Sequence, residues 1–485
     1  MNRLPALILA VSLSLVPQTL LAHSFGEPYK LPMPYWMYIY GALAALILSF
    51  LVLACFYQSE PQATPWRKVI QLPRWLRHRA VTLALKLSLL MLFVLAVTTG
   101  LVGNQDSYRN FNMTFFWIVF ALGGCYLSAL IGDWYRYLSP WRTLSDGINI
   151  LAKGFNQGRL RYPRRLAYWP ALVLYMTFIS LELFGETRPF SLSIILLAYT
   201  LINLLAVWLV GAQAWFRYGE FFAVMFRLTA MMSPLTFSRR PEDQSRRIHI
   251  VLRAPFSGLI DQRVEHPSLL VFLLFMLSST AFDGLRETSL WFGLFWKDPL
   301  NILTPLIGEP PIYAYVWLRP WYLFYEFITL LLSPLIYLGL FVGFLWLGKL
   351  LTRSAIPLGQ LAMQFGYSLL PIALVYHITH YYTLLLSQGI KIRALASDPF
   401  AWGWNLFGNA ITGRIPILPD MGAVWNSQVW LILLGHIASV YLAHVEALRR
   451  FPSARQAALS QLPMLMLMVI FTAAGLWILA QPLQG

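Results

Sequence analysis

The sequence predicts an all-α, polytopic transmembrane helix bundle of about ten spans after a cleaved signal peptide, and three observations carry that reading. Of the 485 residues, 58% are hydrophobic and only 12% are charged, about half the charged fraction of an ordinary soluble chain. Apolar runs of about twenty residues, the length that crosses the hydrocarbon core as a helix, recur along the chain. Lys and Arg concentrate in alternate loops between those runs, as they do where loops take sides across a membrane.

Residues 1–22 combine Arg3, an apolar core from Ala6 to Val16 and a small residue, Ala22, at the expected cut. That is the pattern of a secretory signal, too short to be the first span. The mature chain, 23–485, then begins at His23. Ten apolar runs follow, near 35–57, 81–103, 113–132, 166–185, 190–211, 267–286, 320–348, 361–387, 428–446 and 461–480. The loops at 58–80, 133–165, 212–266, 349–356 and 447–460 hold 25 of the 36 Lys and Arg residues, which assigns them to the cytoplasm and both mature termini to the periplasm. The expected location is the bacterial cytoplasmic (inner) membrane. The net charge of +16 is thereby topological, so the lipid bilayer is the expected partner and nucleic acid is not. Segment 218–237 is apolar, but Arg217, Arg227, Arg239 and Arg240 flank or interrupt it; it reads as interfacial or re-entrant. Loops 284–319 and 388–427, rich in Trp, Pro and Gly, read as a lid over the outer face. Cys55 and Cys125 fall inside apolar runs and read as small buried hydrophobes.

Chemistry is sought in the ionisable residues of the spans, because such groups are costly in a bilayer and are functional candidates by default. His377 and His380, three apart, share a helix face. Counting down from the ends of their spans puts both, and His436 on the next span, roughly 10–15 Å below the outer boundary. Three imidazoles at one depth could bind a divalent metal, zinc or copper; the same histidines could instead bond across helices or ligate haem. His444 lies two turns deeper. His23, if cleavage follows Ala22, offers an α-amine beside its ring nitrogens. Glu182, Asp283 and Glu326 fall at the same outer level and are candidate catalytic or supporting carboxylates; Arg286, three from Asp283, is placed to neutralise it. No phosphate loop, dinucleotide glycine pattern or serine nucleophile elbow is found, so nucleotide chemistry is not indicated.

At Ala22-His23 with Leu31-Pro32-Met33-Pro34-Tyr35-Trp36, Gly132-Asp133 with Pro140-Trp141-Arg142, and Arg217-Tyr218-Gly219-Glu220, the chain resembles the bacterial polytopic membrane proteins named fenitrothion hydrolases. Phe282-Asp283-Gly284, His380-Tyr381-Tyr382 running to Gln388-Gly389, Ser397-Asp398-Pro399, Gly435-His436 and Ala443-His444 extend the resemblance in order along nearly the whole chain. It implies His23, His380 and His436 as the metal-ligand set. It also implies a membrane-bound, metal-dependent hydrolase of organophosphate triesters, in which metal-activated water attacks phosphorus and a nitrophenolate leaves. The substrate would be an apolar small molecule. The alternative is a copper- or metal-handling protein, or an assembly factor for a respiratory complex, without hydrolase activity and with a second membrane subunit as partner; an amino-terminal histidine suits copper.

Overall fold

The computed structural model describes residues 34–57, 66–71, 78–239, 248–260, 262–410 and 420–481. Among them nine helices are long and apolar enough to cross a membrane, and two shorter apolar helices accompany them. The chain is thus an all-α, multi-pass helix bundle. In chain order we label α1 (Tyr35–Phe56), α2 (Arg79–Val102), α3 (Phe111–Ile131), α4 (Trp169–Phe184), α5 (Pro189–Val210), α6 (Phe221–Ala230), α7 (Pro267–Arg286), α8 (Tyr315–Thr352), α9 (Leu370–Gln388), α10 (Met421–Arg450) and α11 (Ala454–Ala480).

The centre is α7. Its most apolar window is 89% buried against 22% for α5, and it packs on α8, α9 and α4. Its start is set locally: Pro267 occupies the first turn, where no amide donor is needed, and the His266 side chain accepts from the Ser268 amide. The sixteen residues of α4 extend only about 24 Å, yet α4 runs beside α7 over its whole length. Its first turn meets α7's first turn, where Ser268 Oγ accepts from the Tyr168 amide at 3.0 Å. At the far end Arg286 donates to the Leu183 carbonyl at 3.1 Å.

Helices α8 and α10 outrun the apolar runs that mark them. α8 starts at Tyr315 and α10 at Met421, and α10 continues through Glu446, Arg449 and Arg450. Polar turns extend these helices without a hydropathy signal, and the start of α10 alters the depth of every residue on it. A three-stranded antiparallel sheet, order β1-β3-β2, joins Arg67–Gln71 (β1), Leu235–Arg239 (β2) and Ile248–Arg253 (β3). In the sequence, β1 and β3 fall in basic loops and β2 overlaps the end of the segment expected to be interfacial or re-entrant. The β-branched residues Val69, Ile70, Ile250 and Val251 carried the strand signal, with Val69 opposite Val251 and Ile70 opposite Ile250.

At the end opposite the sheet, α1 is held by the Tyr38 hydroxyl donating to Asn426 at 3.2 Å and by Tyr38 edge-on to Trp425. At the sheet end, His444 Nε2 lies 2.8 Å from the Tyr57 carbonyl while Nδ1 lies 3.1 Å from Gln461 Nε2. The carbonyl requires a donor and the amide NH₂ an acceptor, so both bonds fit one tautomer, Nε2–H. His444 therefore clasps the end of α1 to α10 and α11. His444→Ala is expected to cost about 1–3 kcal/mol, read as a lower unfolding temperature in detergent; an unchanged temperature would show that the clasp contributes nothing.

Between α7 and α8 the chain forms short helices, Ser289–Trp296 and Thr304–Ile307, hung on one carboxylate. Asp298 accepts from the amides of Ile302, Leu303 and Thr304 and from the Thr304 hydroxyl, at 2.7–2.9 Å. Burial works to raise its carboxyl, and these bonds outweigh it and hold the group below the usual carboxylate range. A depressed folded value means that the stabilisation is complete above the unfolded carboxylate range and is lost as pH falls through the folded value. Acid below the usual carboxylate range is thus expected to open this loop, and limited proteolysis there should cut between 297 and 304 while sparing it at neutral pH.

Candidate functional site

The last turn of α7, the middle of α9 and the end of α4 converge. Asp283 and His380 form the tightest polar contact there, with Asp283 Oδ2 2.7 Å from His380 Nε2 and the side chains 6% and 17% exposed. The Tyr381 hydroxyl donates to the same Oδ2 at 3.1 Å. Glu182, from α4, reaches that hydroxyl too and lies in the field of Asp283. Gly284 makes the approach possible, since a Cβ there would meet Ile478 at 2.5 Å and the His380 ring at 3.6 Å.

A second cluster adjoins the first. Glu326 is buried and accepts from Trp291 Nε1 at 3.3 Å. Arg286 pairs with Glu287 at 3.2 Å and lies over the Phe184 ring, and its charge faces both Asp283 and Glu326. The three carboxylates chosen from sequence are therefore neighbours, with Arg286 as their shared counter-charge.

The histidines do not converge in the same way. His377 points at the rings of Tyr381 and Tyr126, 5.1 and 6.4 Å between centroids, and its Nε2 is buried without a hydrogen-bond partner among the described residues. His436 spends Nδ1 on the Ile432 carbonyl of its own helix at 2.8 Å and sits edge-on to Tyr376; its Nε2 is likewise buried and unpartnered. The register of α9 on α10 separates them. Gln428 donates to the Thr379 carbonyl, Gly435 abuts Val375 and Ser439 donates to the Ser368 carbonyl. His436 consequently lies about two turns, roughly 11 Å along the axis, from the level of His380. The equal depth expected from apolar run ends fails because α10 begins at Met421. Among the described residues no three His, Cys, Asp or Glu side chains group to hold a metal ion. His23 lies outside the described residues, as does the signal segment.

His380 also borders a small open cleft between α7, α8, α9 and α11. Leu277, Ala281, Tyr337, Tyr376 and Gly475 line it with His380, so its wall is mostly apolar, the exceptions being phenol groups, the Thr280 hydroxyl and one imidazole. Asp283 occupies Nε2, which leaves Nδ1 as the ring nitrogen free for other chemistry. Asp283 and His380 stand out in the sequence as ionisable residues of apolar runs; Tyr381 enters only through the resemblance run His380-Tyr381-Tyr382, and Tyr376 one turn earlier gives no separate signal.

Compared with protein-family models, with curated proteins and with solved structures, the chain has no match.

Proposed function

We propose that this chain is a membrane-embedded hydrolase of apolar esters, aryl phosphotriesters being the class its sequence resemblance implies, with His380 as general base and Asp283 as its positioning partner. The observation that carries the reading is the buried Asp283–His380 pair at the edge of an apolar cleft. An ionised Asp283 accepts from Nε2–H, which fixes the tautomer in which Nδ1 is unprotonated. Nδ1 takes a proton from water as the water oxygen attacks phosphorus, the bond to the aryl oxygen breaks, and nitrophenolate departs. The imidazolium so formed is stabilised by Asp283 and returns its proton to solvent. Tyr381, donating to the same carboxylate oxygen, holds that carboxylate in place. The alternation of basic loops supports a periplasmic position for this end of the bundle.

A divalent metal, zinc or copper, is the other use of this imidazole, since Nδ1 could hold an ion only in place of acting as the base. His380 fits as one ligand, because a metal-bound imidazole ordinarily gives its other nitrogen to a carboxylate, as here. Further donors would have to include His23. When bound, an ion would polarise the phosphoryl group and acidify water; the roles above belong to the side chains alone.

The test is release of nitrophenolate from a nitrophenyl phosphotriester by the purified protein in detergent. More than one equivalent per chain is expected. No release, with metal bound, would overturn the hydrolase reading in favour of metal handling.

A further inference from the structure

The cleft beside His380 is bounded by two helices that part company. α8 and α11 run antiparallel and touch closely in one half: Gly348 lies against the Ser460 carbonyl, and Tyr337 stacks on Phe471 with centroids 5.3 Å apart. Beyond that stack α8 is fastened elsewhere, to α7 by Ser278 and Ser333 at 2.8 Å and to the Ser289–Trp296 helix by Trp291 on Glu326. α11 instead stays with α9, where the Tyr376 hydroxyl donates to the Phe471 carbonyl and Tyr376 fills the space that a Gly475 side chain would need. Past the Tyr337–Phe471 stack lies the cleft, with Tyr337 of α8 on one side and Ala474, Ile478 and Leu479 of α11 on the other. Ala474, on the α11 edge of that cleft, is exposed. The α8 surface beside it is lipid-like: Leu332, Leu335 and Ile336 are all exposed, as helix faces against hydrocarbon are.

We propose that the opening of this cleft between α8 and α11 is a lateral portal, through which the apolar aryl arm of an ester dissolved in the bilayer reaches His380 without passing through water. The assignment of an ester rests on the hydrolase reading above; the route does not. The wall chemistry suits that occupant. Ala281 and Ala474 are small, Tyr337, Phe471 and Tyr376 offer ring faces, and His380 is the imidazole in the lining. The Tyr337–Phe471 stack closes the sheet-side end, so a molecule entering from the lipid is directed toward Asp283 and His380.

The experiment needs no turnover, so its failure and that of the hydrolase reading are distinguishable. Ala281→Cys is introduced in a Cys55→Ser background and reconstituted in proteoliposomes; folding is checked by size-exclusion profile. Labelling by pyrenylmaleimide, which partitions into the bilayer, is compared with labelling by a permanently charged methanethiosulfonate added from the water. The lipophilic reagent is expected to react faster by about tenfold or more, since hydrocarbon excludes the charged one. Adding Ala474→Trp, which fills the portal from its lipid edge, should suppress the lipophilic reaction. Faster reaction with the charged reagent, an unchanged lipophilic rate after Ala474→Trp, or no reaction with either reagent while Ala474→Cys is labelled would overturn the portal.

Discussion

Asp283→Asn is expected to lower kcat for aryl phosphotriester cleavage by about 10²- to 10⁴-fold, with KM little changed. Asparagine preserves the size of the side chain and can still accept from Tyr381, so the last turn of α7 should survive. What it removes is the negative charge 2.7 Å from His380 Nε2. That charge selects the tautomer with Nδ1 unprotonated and stabilises the imidazolium formed as water attacks, and an amide does neither dependably. Tyr381→Phe, which takes one hydrogen bond from Asp283 and leaves the charge, should cost far less, within about tenfold. The comparison is made on initial rates of nitrophenolate release from folded protein. An Asp283→Asn protein within twofold of wild type would show that the carboxylate only packs.

The largest structural effect is expected at the crossing of α8 and α11. Gly348→Leu should destabilise the bundle by about 1–3 kcal/mol or more, because even a Cβ at this position would overlap the Ser460 carbonyl oxygen. Backbone, not a movable side chain, stands in the way, and close approach through small residues is how helices associate where no hydrophobic drive operates between them. Gly343 provides the control. It lies on the same helix, with nothing within 4 Å of a built Cβ, and Gly343→Leu should stay within about 0.5 kcal/mol of wild type. Thermal unfolding in detergent separates the two; equal shifts would refute the close crossing.

These expectations draw unequally on what the sequence made legible. The helical, multi-pass character was plain in hydropathy, since a span announces itself by an unbroken apolar run, as α2 and α5 do. The ends were less visible. α10 carries Asn426 and Ser427 in its first turns and Glu446, Arg449 and Arg450 in its last, residues that continue a helix without looking like membrane. That hidden first stretch is what separated His436 from His380. The strands were obscured for the opposite reason, because Arg67, Lys68 and Arg253 made topology signals of segments whose Val and Ile residues pair across the sheet. Asp283 and His380 stood out as ionisable residues on apolar helices, but they lie 97 positions apart, and no local pattern couples residues brought together by tertiary packing. Glu182, Glu326 and Arg286 were visible for the same reason and prove to be neighbours. Tyr381 was hidden by its ordinariness, one aromatic among 24 tyrosines.

The most direct test of His380 as the base at the edge of the cleft is chemical rescue of His380→Gly. Removing the imidazole leaves a space against Asp283 and the apolar wall, of a shape that free imidazole can fill. The account predicts that purified His380→Gly protein releases almost no nitrophenolate from a nitrophenyl phosphotriester. Added imidazole should restore release saturably, and it should fail to do so when Asp283→Ala is also present. A His380→Gly protein as active as wild type without imidazole, or one that stays silent at saturating imidazole while its fold and its substrate binding match wild type, would contradict it.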